Sequence, residues 1–396
     1  MRRVVLTLIV AAGLAQAAQA GGLRNDPGLV LDMEEGSWRQ FMGWKTPVLI
    51  AKDGTSTPLL SPKKVGTSDA DRTPMPVVKS WYPPADWTQV DFDDTYWPRT
   101  RGRVIVPTPA RGDTGGSIWK PGNPAEWNLI CLRGRFRVTD PAKVNMPRLE
   151  LTYHGGAVVY LNGKEIQRGH LPKGEITFET PAEPYPMETY VRPDGSLYGF
   201  ADSRDGDYKE RFAKRARPVP PKVWTNAVGI PKDLLRKGVN VIAIEVHRAQ
   251  VREVAAEGVA KPGTWSKGPC SWAHAGVLTA RFRVGTPVGI EPNVAPSEGL
   301  NVGAAHPWES LTAYDYAHPL DAPRPITLVG VRNAYFSGRV LVSSSDTIYG
   351  LKCAVTDLAH ADGKAAIPAK QVQVRYAEPC TPRVSWRRYP SFDRLL

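Results

Sequence analysis

Two short stretches do most to limit what this chain can become. In Ala157-Val-Val-Tyr-Leu-Asn-Gly-Lys-Glu-Ile166, two β-prone runs meet at Asn162-Gly163. That pair adopts positive φ angles more easily than any other, so the segment predicts a hairpin closed by a type I′ turn. Downstream, Lys237-Gly-Val-Asn-Val-Ile-Ala-Ile-Glu-Val-His-Arg248 predicts an alternating strand. Ile242, Ile244 and Val246 share one face, and Val241, Ala243, Glu245 and His247 share the other.

The same period recurs elsewhere. Phe136 and Val138 alternate with Arg135 and Arg137, and Leu149, Leu151 and Tyr153 oppose Glu150, Thr152 and His154. Leu278, Ala280, Phe282 and Val284 oppose Thr279, Arg281 and Arg283. Repeated alternation with one apolar face marks antiparallel strands and favours a sandwich. The 36 Gly and 37 Pro suit many short strands joined by turns.

Together with Trp87-Thr-Gln-Val-Asp-Phe-Asp-Asp-Thr-Tyr-Trp97, the two opening stretches resemble the jelly-roll sugar-binding domain of bacterial β-galactosidases and related glycosidases. There a "W…FDDs.W" entry segment and a "vyvNGk" hairpin precede a "G-x-N-x-I-a-i-e-v" strand. The resemblance implies an all-β chain in which an antiparallel, galactose-binding-like jelly-roll, with peripheral N-terminal strands, occupies residues 21–286. A Pro- and Gly-rich linker at 287–300 then leads to a second, smaller β-sandwich over 301–396. That second region carries Val331-Arg-Asn-Ala-Tyr-Phe-Ser-Gly338, Val340-Leu-Val342 and an alternation of Val372, Val374 and Tyr376. It resembles the sandwich that precedes the catalytic barrel in family-123-type glycosidases. In those proteins more chain follows, so a truncated product is expected.

The first 20 residues read as a signal peptide. Arg2 and Arg3 supply the charged region, residues 4–14 an apolar core, and Ala18-Gln19-Ala20 an A-x-A cleavage site. Cleavage after Ala20 predicts a secreted or periplasmic protein. The apolar run is too short to span a bilayer, and no later stretch is long enough. Formal charge is +12, of which Arg2 and Arg3 supply two. A basic balance favours acidic partners, but export and the lack of any nucleic-acid-binding motif point away from nucleic acid. Carbohydrate, including acidic polysaccharide, is the expected partner. Cys131, Cys270, Cys353 and Cys380 allow three complete pairings, and no two have C-x-x-C spacing.

Candidate chemistry is sparse. Asp91, Asp93 and Asp94 could hold a structural calcium ion, or cap a turn that orients Trp87 and Trp97. No other cofactor is expected. Tyr190, Tyr198, Tyr208 and Trp224 lie in or beside a long, patternless stretch over 180–224, where aromatic rings could cover the apolar face of a pyranose. The same stretch carries the densest basic cluster, Arg211, Lys214, Arg215 and Arg217, suited to sulfate or uronate or simply to solvent. Glu245 and His247 would serve as acid and base only if their face opened on a cleft. Glu150 and Glu165 are the available second carboxylates. The favoured expectation for Glu245 and His247 is a solvent-facing exterior. H-E-x-x-H, P-loop, G-x-G-x-x-G and G-x-S-x-G motifs are absent from the sequence.

The residue patterns thus give a fold, and the resemblance adds the expected role: an exported, non-catalytic carbohydrate-binding or glycosidase-accessory protein. Two alternatives stand beside it. The chain could be the front of a glycoside hydrolase lacking its barrel, or a protein-interaction module of a surface assembly.

Overall fold

The computed structural model of the chain describes residues 8–12, 26–34, 36–45, 48–58, 79–100, 126–195, 214–218, 227–254, 274–305, 311, 315–321, 325–329, 331, 334–360, 362, 364–380 and 391–395. The fold is all-β. Among the described residues, no helix is long and apolar enough to cross a membrane.

Contacts divide the chain into two units. One comprises residues 28–34 and 38–292, and the other residues 1–27, 35–37 and 293–396. The larger unit is built on two antiparallel sheets. In the first, the strands run in the order Lys164–Gly169, Gly156–Leu161, Gly238–His247, Glu126–Val138, Trp38–Lys45 and Arg99–Thr100. The second has the order Arg217–Pro218, Arg148–His154, Gly276–Arg283 and Leu29–Asp32, with Ala227–Gly229 also paired to Arg148–His154.

The apolar faces of the two sheets meet in one core. Ile130, Leu132, Phe136 and Val138 join Ile242, Ile244 and Val246 from the first sheet. Leu149, Leu151, Tyr153, Ala280 and Phe282 meet them from the second. This is the alternation expected from sequence. Leu278 departs from it. A register shift between Val277 and Thr279 inserts an extra residue, so Val277 joins the core cluster in its place.

The hairpin closes as its sequence predicts. Asn162 and Gly163 both have positive φ, 52° and 86°, and Leu161 pairs with Lys164. Asn162 also stitches the hairpin to the neighbouring strand. Its side-chain amide donates to Asn240 Oδ1 at 2.8 Å and to the Leu234 carbonyl at 2.9 Å, and its Oδ1 accepts from the Val241 N–H at 2.9 Å. The Asn residues of the two opening stretches are therefore direct partners, 78 positions apart.

The expected linker begins too early. Ile290–Glu291 pairs with the end of Glu126–Val138, and Ile290 is buried in the sandwich core. Gly289, at φ 78°, makes this possible, because a Cβ there would strike the Asp140 carbonyl. The smaller unit contains two-stranded antiparallel ladders among its described residues, such as Asn301–Ala305 with Arg339–Ser343. Ala305, Leu311 and Leu341 form its small buried cluster. Its pairing of Leu8–Ala12 with Leu351–Val355 involves residues read from sequence as part of the signal peptide.

Candidate functional site

The outer face of Gly238–His247 is not a solvated exterior. Glu245 is 1 % exposed and His247 0 %. Their expected solvent-facing placement is therefore wrong, and the reason is a second layer of chain laid over the sheet. Trp87, Trp97 and Phe178 cover Leu129, Cys131, Val241 and Ala243, with Tyr82, Phe92 and Tyr160 packed around them. A second patch of Leu171, Ala182, Tyr185 and Tyr190 lies over Val158, Ala249 and Val251.

Burying a carboxylate is costly unless its oxygens are satisfied. Here every partner comes from a different segment. Tyr82 Oη donates to Glu245 Oε1, and Tyr160 Oη donates to Oε2 at 3.0 Å. His247 Nε2 lies 2.8 Å from Oε1, while its Nδ1 lies 2.9 Å from the Thr180 carbonyl. A carbonyl can only accept, so Nδ1 donates to Thr180. Nε2 is then the ring atom that meets the Glu245 carboxylate.

Burial pushes the Glu245 carboxyl upward. The His247 hydrogen bond and charge, with the Tyr82 and Tyr160 hydroxyls, outweigh it and hold the group below the usual carboxylate range. Burial and the Glu245 charge push both tyrosines well above their ordinary value, so they remain donors. Burial, and then Glu245, also raises the Cys131 thiol, which is free and inert as a nucleophile.

The acidic triplet is dispersed by the same covering layer. Asp94 Oδ2 accepts from Arg133 Nε at 2.8 Å, and both side chains are buried. Arg133 also donates to the carbonyls of Trp87 and Gln89 and lies over the Phe92 ring. Asp93 accepts from the Thr95 N–H at 3.1 Å, an Asx turn, and Asp91 is exposed. Among the described residues, no three His, Cys, Asp or Glu side chains converge in a way that would hold a metal ion.

Glu150 and Glu165 are not placed opposite Glu245. Glu150 projects from the outer side of the second sheet, where Arg283 lies 3.1 Å away. Glu165 is paired with Arg168 at 2.6 Å. Tyr190 is buried as a plug, its ring stacked on His274 and its hydroxyl 3.0 Å from Nε2 of that residue. Tyr198, Tyr208, Trp224 and Arg211 lie outside the described residues.

Sequence reading missed Tyr82, Tyr160 and Thr180 as partners of the Glu245–His247 pair. One signal was available: Val241 and Ala243 share the face of Glu245 and His247, and apolar residues on an exterior call for a cover.

No protein-family model matches the sequence, and no curated protein matches it. Several solved structures are similar to it at low level. A β-glucuronidase from Bifidobacterium dentium complexed with coumarin-3-O-glucuronide is 12 % identical over 71 % of this chain and 33 % of that chain, with a TM-score of 0.27. A glycosyl hydrolase family 2 member from Bacteroides cellulosilyticus is 10 % identical over 69 % and 29 %, at a TM-score of 0.24. A β-glycosidase from Bacteroides vulgatus is 12 % identical over 86 % and 34 %, at a TM-score of 0.22. The chain spans about a third of the length of each. Such TM-scores say nothing about chemistry.

Proposed function

We propose that this chain is an exported, non-catalytic module that binds carbohydrate or supports a glycoside hydrolase. The supporting observation is the closure of the Glu245–His247 pair. The two residues best suited by sequence to act as acid and base are buried, and their polar atoms are bonded to Tyr82, Tyr160, Thr180 and each other. A general acid or base must reach a substrate atom directly or through one water, and a glycosidase needs a second carboxylate across the scissile bond. Neither Glu150 nor Glu165 answers that need, since each faces an arginine elsewhere. The pair instead ties the covering layer to the sandwich.

The test uses purified protein on aryl β-galactosides and β-N-acetylgalactosaminides, followed by a glycan array. The reading expects no product release and binding to at least one class of saccharide. Turnover that disappears in Glu245→Gln would overturn it.

A further inference from the structure

A cleft of about 420 Å³ opens in the sandwich unit beside the covering layer, lined by His170, Glu183, Tyr185, Lys214, Arg217 and Arg252, with prolines between. Three of these side chains are permanent cations and one is a carboxylate. The residues come from four separate segments, so the grouping is a product of the fold and not of a basic run.

Arg217 is the informative member. It is 7 % exposed, and its guanidinium lies 3.7 Å over the centre of the Tyr185 ring. Its hydrogen bonds go to backbone carbonyls: Nη1 donates to Gly155 at 2.8 Å and Glu183 at 2.9 Å, and Nη2 to Pro184 at 3.3 Å. Tyr185 is itself fixed, donating to the Arg215 carbonyl at 3.0 Å and accepting from the Gly155 N–H at 2.9 Å. The charge at the base of the cleft is therefore held rigidly. Carbonyl dipoles and an aromatic face partner it, and among the described residues it has no ion pair. Buried charges are ordinarily paired with an opposite charge; among the described residues lining this cleft Glu183 is the one carboxylate, exposed and forming no ion pair with Arg217.

The surrounding groups extend the same field. Arg252 donates through Nε to the Tyr185 carbonyl, which ties its charge to the same residue that carries Arg217. Lys214 is exposed at the rim. His170 bonds through Nδ1 to Tyr153 Oη at 2.9 Å. Its backbone has a φ of 57°, a left-handed conformation that costs a histidine energy and clusters at functional positions. Burial and then the Arg217 charge lower its pKa, so near neutral pH the imidazole is uncharged and can hydrogen-bond a hydroxyl.

We infer that this cleft binds the anionic group of a saccharide, a uronate carboxylate or a sulfate ester, with Arg217 as the fixed counter-charge and Lys214 and Arg252 closing on the ligand. The inference rests on the carbohydrate reading above and assigns that reading a place and a charge preference. Arginine suits the task because its planar fork presents paired donors to a planar or tetrahedral oxyanion.

Titration calorimetry of the full chain decides the matter. The ligands are an oligogalacturonate, a heparin-derived oligosaccharide, a neutral galacto-oligosaccharide and inorganic sulfate. One or both acidic oligosaccharides should bind, weakening with added salt, while the neutral one and sulfate alone bind far less. Arg252→Glu and Lys214→Glu should each weaken that binding by about tenfold or more, as expected for a lost charge-assisted contact. Lys232→Glu, an exposed residue lying against the Ala142 carbonyl, makes the same charge change and should leave affinity nearly unchanged. Arg217→Ala is informative only if the folded signal is kept, and the two rim variants carry the test without it. Equal affinity for neutral and acidic sugars would overturn the cleft while leaving the carbohydrate reading intact. So would variants at Lys214 and Arg252 that behave like Lys232→Glu. Sulfate binding as tightly as the oligosaccharides would reduce the site to a simple anion hole and overturn the saccharide assignment. Failure to bind any saccharide would sink both readings.

Discussion

The two faces of the Gly238–His247 strand are buried to the same degree by different means. On the inner face Ile242, Ile244 and Val246 meet the second sheet, and burial of apolar surface is itself the driving force. On the outer face Val241 and Ala243 share the surface with Glu245 and His247, under a layer drawn from residues 82–97 and 171–190. That side is closed by aromatic packing joined to charged networks, Arg133 with Asp94 and Glu245 with His247, Tyr82 and Tyr160. The inner face tolerates any well-fitting hydrocarbon. The outer face depends on its donors and acceptors, since removing a partner strands a buried polar group, and one nitrogen of Arg133, Nη2, is buried there without a hydrogen-bond partner.

The contrast is sharpest where one partner of the outer network is removed. Asp94→Ala leaves the buried Arg133 guanidinium without its carboxylate and should cost about 3–5 kcal/mol, read as a lowered urea midpoint. A loss below about 1 kcal/mol would mean that water reaches Arg133 and that the cover is open. Next in size, Ile244→Ala should cost about 2–5 kcal/mol by leaving a cavity between the sheets. If it cost less than Glu245→Gln, the inner face would not be the principal core.

Glu245→Gln itself should cost about 1–3 kcal/mol, because an amide cannot accept from all three donors at once. Its effect depends on pH in a definite direction. The folded-state pKa of Glu245 is depressed. The stability it contributes is therefore present above the unfolded carboxylate pKa and lost as pH falls through the folded one. The gap between wild type and Glu245→Gln should be widest near neutral pH and shrink below the ordinary carboxylate range. A gap that grows on acidification would contradict the ionised, paired state. Smallest of the series, Gly163→Val should cost about 1 kcal/mol or more, since φ of 86° strains a β-branched residue and its Cβ would strike the Gln89 side chain. An unchanged thermal midpoint would remove the turn assignment.

Much of the sandwich was legible in the sequence for local reasons. The Asn162-Gly163 turn and the alternation of Leu149, Leu151 and Tyr153 depend on neighbours a few residues away. Leu278 was misplaced because one inserted residue shifts a register without leaving a mark in the pattern. Glu245 and His247 were misread for a deeper reason. Their partners Tyr82, Tyr160 and Thr180 are 163, 85 and 67 residues distant along the chain, and alternation distinguishes apolar from polar faces, not covered from open ones. Arg252 was overlooked in the cleft because it lies on a separate strand, Val251–Arg252, far along the chain from the visible cluster that holds Lys214 and Arg217.

The closure of the outer face is tested most directly by carboxyl labelling of the native protein with a water-soluble carbodiimide and glycine ethyl ester, read by peptide mass spectrometry. Glu175 and Glu188 are exposed and serve as internal references. Glu245 should stay unmodified while both references react to completion, and should become reactive only in urea. Labelling of Glu245 at a rate comparable to Glu188 in the native protein would contradict the account and return the Glu245–His247 pair to the list of residues open to a substrate.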